Sequence, residues 1–210
     1  MGLFKTYTDR PLCHPKNKIV AIEDRFAFPQ PVTLVLKEKI FSFSGDDFTI
    51  TDVNGTSYFK CKGKAFSIRE KKVLYDLYNK PLLSIKNKLM SLRGKLKIFD
   101  GAGEKVLVTV EPQSLFLNKK YLINFTNLAT GKEDYIEMKC DLVGCTAGIF
   151  HGKEKEGAPL ICKIHKKFDA KLLLTSQENY YIEIAPGVDS SFMMALAICF
   201  DEFKNERQRD

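Results

Sequence analysis

Apolar and polar residues alternate along most of this chain. Val32, Leu34 and Leu36, for example, occupy every second position of one short segment. A period of two is the pattern of a β-strand with one buried face. Turn sequences such as Asn54-Gly55 recur between these segments, and Asn-Gly is a strong hairpin signal. We therefore predict eleven or twelve short strands, the clearest at about 32–37, 48–51, 58–66, 82–86, 92–99, 105–111, 115–126, 134–139, 147–151, 160–165 and 180–184.

A different pattern occupies Phe192–Phe200, which reads FMMALAICF. It does not alternate, and Met, Ala and Leu favour helix. A helix without a polar face must be buried on all sides, and this run is far shorter than the ~20 residues that cross a bilayer. We predict a helix, capped by Asp189 or Ser190, that runs through a closed β-barrel.

The strand and turn pattern predicts one domain. Residues 1–30 form an irregular N-terminal segment with three prolines, residues 31–204 form the barrel domain, and residues 205–210 form a polar tail. No linker, low-complexity stretch or clear internal repeat divides the chain.

The net charge of +7 is concentrated in one region. Between Lys60 and Lys97 there are twelve basic residues and two acidic ones, a net +10, so the rest of the chain sums to −3. We predict an anion-binding surface at Lys60, Lys62, Lys64, Lys86, Lys88, Arg93, Lys95 and Lys97. Such a patch suits phospholipid headgroups, nucleic acid or an acidic protein, while the alternative is a solvated face that resists aggregation. Few aromatic residues interleave with the lysines, which favours lipid phosphate over single-stranded nucleic acid but leaves double-stranded DNA open.

The sequence offers little for catalysis. It contains no nucleophile-elbow, phosphate-loop, dinucleotide-binding or zinc-protease motif. Its six cysteines lack zinc-site spacing, so we expect reduced thiols in a cytoplasmic protein. Three histidines lie far apart, and Asp201-Glu202 is expected at a solvated helix end. We predict no enzyme activity, no catalytic residue, no metal and no cofactor.

The N-terminus, Met1-Gly2-Leu-Phe-Lys-Thr6, fits the N-myristoylation pattern, with Gly2 as the acceptor. One acyl chain gives marginal membrane affinity, and a polybasic surface is a typical second signal. The alternative is a chance match to a short pattern. With the acyl chain, the protein would reside at the plasma membrane, and with a nucleic-acid ligand it would act in the nucleus.

Three stretches resemble the LURP-one-related family. They are residues 41–55, residues 59–67 with the following 73–83 region, and residues 185–202 with Ala185-Pro-Gly-Val-Asp189. The resemblance implies a Tubby C-terminal-like fold, a barrel of about twelve strands around a central hydrophobic helix. Relatives of that fold include the phosphoinositide-binding Tubby proteins, regarded as membrane-tethered transcription regulators, and the phospholipid scramblases. LURP-one-related proteins are linked to plant defence.

Together these features predict a non-catalytic intracellular module that binds phosphoinositide or another anionic phospholipid at a membrane surface without spanning it, with a signalling or defence role. The alternatives are a nucleic-acid-binding or transcription-regulating protein and a protein-interaction barrel without a lipid ligand.

Overall fold

A computed structural model describes residues 7–37, 48–63, 71–86, 95–113, 119–166 and 179–209. These residues form twelve strands and a C-terminal helix. In chain order the elements are β1 Val32–Lys37, β2 Phe48–Asp52, β3 Ser57–Gly63, β4 Lys71–Tyr75, β5 Pro81–Lys86, β6 Leu96–Asp100, β7 Val106–Pro112, β8 Lys119–Asn127, β9 Lys132–Asp141, β10 Thr146–Phe150, β11 Leu160–Lys166, β12 Asn179–Ile184 and α1 Ser190–Arg209.

The twelve strands form a closed antiparallel barrel. Each strand pairs with its neighbours in sequence, and β1 closes the ring by pairing with β12 from Val32–Ile184 to Lys37–Asn179. Closure leaves no free sheet edge, which removes the template for aggregation that an open sheet presents. The predicted barrel of about twelve strands is confirmed.

The helix α1 fills the barrel and gives it two distinct ends. Every residue from Phe192 to Phe200 is buried, as the apolar pattern predicts. Phe192 packs against Phe125 of β8 with ring centroids 5.0 Å apart, and Phe200 packs edge-on against Tyr180 of β12 at 5.9 Å. We call the end where α1 begins the capped end and the end where it leaves the exit end. A helix without a polar face is stable here because the barrel wall surrounds it.

Asp189 is the N-cap of α1, which resolves the choice between Asp189 and Ser190. One carboxylate oxygen accepts the backbone N–H groups of Ser191 and Phe192 at 3.0 and 3.2 Å. The other accepts those of Ile22 and Glu23 at 2.8 and 3.2 Å. The same side chain therefore satisfies unpaired donors of the first helical turn and fastens the N-terminal segment over the capped end.

The N-terminal segment is irregular but packed. Residues 19–27 close the capped end, where Ile19 bridges to Val188 and Ala27 to Asp189. Farther upstream, the 3-10 turn Tyr7–Asp9 lies on the outside of the wall, with Tyr7 against Phe150 of β10. Cys13 then donates its backbone N–H to the carbonyl oxygen of Leu160 at 2.8 Å.

Three turns at the capped end share one hydrogen-bonding pattern, which was not predicted from the sequence. Asp52, Asp76 and Asp100 are spaced 24 residues apart, and each ends or follows a strand. In each case one carboxylate oxygen accepts two backbone N–H groups of its own turn, at 2.7–2.9 Å. A short polar side chain that bonds its own backbone favours a turn over a continuing strand. The intervening sequences differ, which hides the repeat from simple inspection.

Candidate anion-binding surface

Strand β3 carries the first group of predicted lysines. Phe59 is buried and Lys60 is partly exposed, as the alternation predicts. The Lys60 ammonium donates to the carbonyl oxygen of Leu77 at 3.1 Å and to the side-chain oxygen of Asn79 at 3.3 Å. These bonds tie Lys60 to the turn between β4 and β5, at the capped end. Lys62 lies in β3 opposite Val73, whereas Lys64 is outside the described residues.

Strand β6 carries part of the second group. Lys97 is exposed between the buried residues Leu96 and Ile98, so the predicted alternation holds here too. Lys95 forms an ion pair with Glu111 at 2.8 Å, in which both side chains are partly exposed. Arg93 and Lys88 lie outside the described residues.

The two predicted stripes are not neighbours, because β4 and β5 lie between β3 and β6. The intervening strands add lysines of their own. Lys71 of β4 is the cross-strand partner of Lys86 of β5, and Lys86 is the partner of Lys97 of β6. Adjacent strands are about 4.8 Å apart, so the three positions span about 10 Å. We call Lys71, Lys86 and Lys97 the lysine row.

The three positions of the lysine row share one face of the sheet by their strand register. Directly paired residues share a face of a sheet, and Lys97 identifies that face as the outer one. Like charges in directly opposed positions destabilise a sheet. Among residues with described side chains, no carboxylate forms an ion pair with Lys97. The strand register therefore places three lysine positions side by side across β4, β5 and β6.

Lys71 is absent from the predicted set, although its neighbours are present. Alternation assigns residues to a face but does not say which residues of separate strands are opposite one another. The pairing of β4 with β5 also contains a register shift between Leu74 and Tyr75. No signal in a single sequence places Lys71 beside Lys86.

Lys72, the next residue, has a different role. Its ammonium forms an ion pair with Glu202 of α1, and the two side chains are only 17% and 11% exposed. Asp201 and Glu202 are both buried, so the expected solvated helix end is wrong. Because α1 continues to Arg209, these acidic residues still lie within the barrel, where Lys72 compensates the charge of Glu202.

Two histidines pair with carboxylates that sequence reasoning did not connect to them. His165 of β11 lies 2.7 Å from Glu183 of β12, which also pairs with Lys163 at 2.8 Å. Burial works to raise the pKa of Glu183, but the hydrogen bonds from Lys163 and His165 outweigh it and lower that pKa. His151 lies 3.0 Å from both carboxylate oxygens of Asp134. These contacts join separate strands or loops, so local sequence gives no sign of them.

The described residues contain no group of three or more His, Cys, Asp or Glu side chains that could hold a metal ion. None of the six cysteines, all of which lie in the described residues, forms a disulfide bond. Burial raises the pKa of Cys199 in α1 to about 12, which keeps that thiol protonated and unreactive at neutral pH. Charged residues on the outer surface of the barrel are therefore the remaining candidates for a binding site.

Comparison with known proteins places this barrel in a family. The family model described as LURP-one-related matches residues 32–201. The chain belongs to the LURP-one-related family. Among its relatives in Arabidopsis thaliana, LURP-one-related protein 10 is 27% identical over 195 residues, covering 90% of this chain and 98% of that protein. LURP-one-related protein 15 is 25% identical over 201 residues, covering 91% and 89%.

A bacterial protein also matches part of this LURP-one-related chain. The uncharacterised protein YxjI of Bacillus subtilis is 34% identical over 96 residues, covering 46% of this chain and 57% of that protein. Among solved structures, an Arabidopsis thaliana protein determined by X-ray crystallography matches with a TM-score of 0.60 at 19% identity, covering 88% of this chain and 98% of that one. This structural likeness supports the fold.

In the described part of the LURP-one-related chain, no helix combines the length and hydrophobicity needed to cross a bilayer. Met1–Thr6, with the predicted acceptor Gly2, lies outside the described residues.

Proposed function

We propose that this LURP-one-related protein is a non-catalytic module that binds anionic phospholipid, phosphoinositides included, through the lysine row. The observation that carries this proposal is the direct cross-strand alignment of Lys71, Lys86 and Lys97 on three neighbouring strands. An anionic headgroup relieves the repulsion within the row, so binding is favoured by the same charges that cost stability in the free protein.

The dimensions of the row suit a headgroup with more than one phosphate. Lysine positions spaced at about 4.8 Å and 10 Å along the row suit phosphates on different positions of one inositol ring, whereas a lone phosphate engages only part of the row. Each lysine near an anionic membrane contributes about 1 kcal/mol. Three lysines then supply about 3 kcal/mol, enough for reversible association and too little for permanent attachment.

The other predicted residues are expected to contribute less. Lys60 is held by two hydrogen bonds to the β4–β5 turn, and Lys95 is paired with Glu111. Both must exchange these contacts for headgroup contacts, which reduces the net gain. We include Lys62, Lys64, Lys88 and Arg93 in the proposed surface on the basis of the sequence prediction alone.

Myristoylation of Gly2 would supply a second membrane signal, and the protein would then reside at a cytoplasmic membrane face. A role in signalling follows naturally, because two weak anchors make membrane residence sensitive to a change in either one. The family resemblance supports defence signalling as the setting.

The test is co-sedimentation of the unlipidated protein with vesicles of neutral lipid, phosphatidylserine or individual phosphoinositides at physiological salt. The variant carries Lys86→Glu and Lys97→Glu, and its matched control carries Lys105→Glu and Lys132→Glu, both exposed positions at the capped end. We expect the lysine-row variant to lose binding and the control to retain it. Equal loss in both variants would contradict the proposed site.

Nucleic acid is the main competing ligand. Measuring the binding of duplex DNA beside that of vesicles distinguishes DNA binding from lipid binding, because binding through phosphate charge alone weakens steeply with salt. Tight DNA binding together with absent vesicle binding would overturn the lipid proposal.

A further inference from the structure

We infer that the barrel docks end-on, with its exit end against an anionic membrane surface. This inference rests on the proposed lipid-binding function and goes beyond it by naming an orientation and further contact residues. It is carried by the distribution of charge between the two ends of the barrel.

The exit end is ringed by lysines. Because the strands are antiparallel, each contributes one terminal residue to this end, and the pairing registers identify it. For five of the twelve strands that residue is a lysine, and for one it is an aspartate. The lysines are Lys37, Lys71, Lys86, Lys119 and Lys166, and the aspartate is Asp141.

The strand termini at the capped end have the opposite character. Its charged strand termini are Asp52, Asp100 and one lysine, Lys132. The aspartates bond their own turns through backbone N–H groups, so their charge is part of the fold. The strand termini therefore favour the exit end as the end that faces an anionic surface.

The lysines of the ring belong to strands on opposite sides of the barrel. Lys86 lies on β5 and Lys166 on β11, and these strands are six places apart in the ring of twelve. No side-on contact can include both. A flat anionic surface that covers the exit end can contact both lysines. A peptide or another narrow ligand would contact strands on only one side of the barrel. The distribution therefore favours a membrane over a compact polyanion.

The lysine row fits this orientation, because Lys71 and Lys86 are themselves the exit-end termini of β4 and β5. The turn between β9 and β10 lies at the same end and exposes Val143, whose relative exposure is 77%. An exposed apolar residue beside a cationic ring suits the headgroup region of a membrane, where apolar and charged contacts coexist.

Charge reversal at the two ends of one hairpin tests the orientation. Lys119 and Lys132 are the exit-end and capped-end lysines of the β8–β9 hairpin, and neither is in the lysine row. In vesicles containing the preferred anionic lipid, we expect Lys119→Glu to weaken binding about fivefold or more and Lys132→Glu to change it less than twofold. Circular dichroism on both variants establishes that the fold is intact.

A fluorescence measurement locates the membrane-facing end directly. The chain contains no tryptophan, so all tryptophan fluorescence comes from a single introduced residue. Val143→Trp labels the exit end, and Leu128→Trp, at a position 56% exposed, labels a turn at the capped end. With vesicles of brominated phospholipid, we expect a blue shift and quenching for Val143→Trp and neither for Leu128→Trp.

The outcomes separate the two proposals. If the wild-type protein binds vesicles and depends on Lys86 and Lys97, but Lys119→Glu binds normally and both tryptophans stay unquenched, the lipid function stands and the end-on orientation is overturned. Quenching of Leu128→Trp alone also overturns it. If the wild-type protein binds no vesicle of any composition, or binds only duplex DNA or an acidic protein, both proposals fail.

Discussion

The ring of Tyr7 lies against the backbone of Gly148, on the outer face of β10. A Cβ atom at position 148 would lie 2.8 Å from Cγ and 2.9 Å from Cδ1 of Tyr7, which is closer than atoms can approach. The same ring meets Phe150 edge-on at a centroid distance of 5.8 Å. Burial, reinforced by the nearby charge of Glu154, raises the pKa of Tyr7 to about 12. The absence of a side chain at Gly148 thus makes room for the N-terminal segment.

We expect Gly148→Ala to destabilise the protein by about 1–3 kcal/mol, because the new methyl group must displace Tyr7 or distort β10. Urea denaturation of four proteins measures this: the wild type, Gly148→Ala, Tyr7→Ala and the double variant. The cost of Gly148→Ala should largely disappear in the Tyr7→Ala background, since the clash is then absent. Strictly additive effects would show that the strain at position 148 has another source.

A second prediction concerns the buried helix α1. Leu196 is completely buried in α1, so Leu196→Asp places an unpaired charge in the barrel and should prevent folding, at a cost of more than about 4 kcal/mol. Leu196→Ala, which only opens a cavity, should cost about 2–5 kcal/mol and leave a folded protein. Thermal denaturation and circular dichroism measure both effects. Leu128→Asp, at an exposed turn, is the matched control, and a stable Leu196→Asp protein would contradict the central-helix arrangement.

Asp189 connects the helix to the N-terminal segment, which leads to a third prediction. Asp189→Ala leaves the backbone N–H groups of Phe192 and Ile22 without their acceptor inside the protein. Loss of a helix cap costs about 0.5–2 kcal/mol, and each unsatisfied buried donor adds about 1–3 kcal/mol. We expect the free energy of unfolding to fall by at least 2 kcal/mol in urea denaturation.

Hydrogen exchange distinguishes the two roles of Asp189. The amides of Ile19 and Ile22 should exchange faster in Asp189→Ala than in the wild type, because residues 19–23 lose their attachment to α1. If only the amides of the first helical turn lose protection, Asp189 acts as a helix cap alone and the N-terminal segment is held by other contacts.

Several parts of this fold can be predicted from sequence patterns that span only a few residues. The alternation around Leu96, Lys97 and Ile98 correctly predicts which side chains are buried. The run Phe192–Phe200 predicts both the helix and its surroundings, because such a helix has no other stable environment. The alternation and turn pattern predicts eleven or twelve strands, and the family resemblance agrees with about twelve.

The features that the sequence does not reveal depend on contacts between distant residues. Glu202 is buried because Lys72, 130 residues away, pairs with it. The lysine row depends on the register of three strands, which in turn depends on a register shift in the β4–β5 hairpin. The lysine ring is visible only once the barrel order assigns each strand terminus to an end.

Acid should weaken this protein through Asp76, one of its turn aspartates. Burial works to raise the pKa of Asp76, but the hydrogen bond from Arg25 and the backbone N–H groups of Lys80 and Tyr78 outweigh it, so the pKa lies below its ordinary value of 3.8. A carboxylate whose pKa is lower in the folded state binds protons more readily when unfolded. Its contribution is therefore complete above the unfolded-state pKa of about 3.8 and is lost as the pH falls toward the lower folded-state pKa.

We expect the Tm to decline as the pH is lowered through 4, and the decline to be shallower in Asp76→Asn, which cannot titrate. The variant should also be less stable than the wild type at pH 7, because it loses the ion pair with Arg25 at 2.7 Å. Calorimetry between pH 7 and 2.5 compares the two slopes, with Asp24→Asn as the control at an exposed carboxylate that pairs with Lys18. Parallel slopes for wild type and Asp76→Asn would mean that Asp76 does not set the acid stability of this protein.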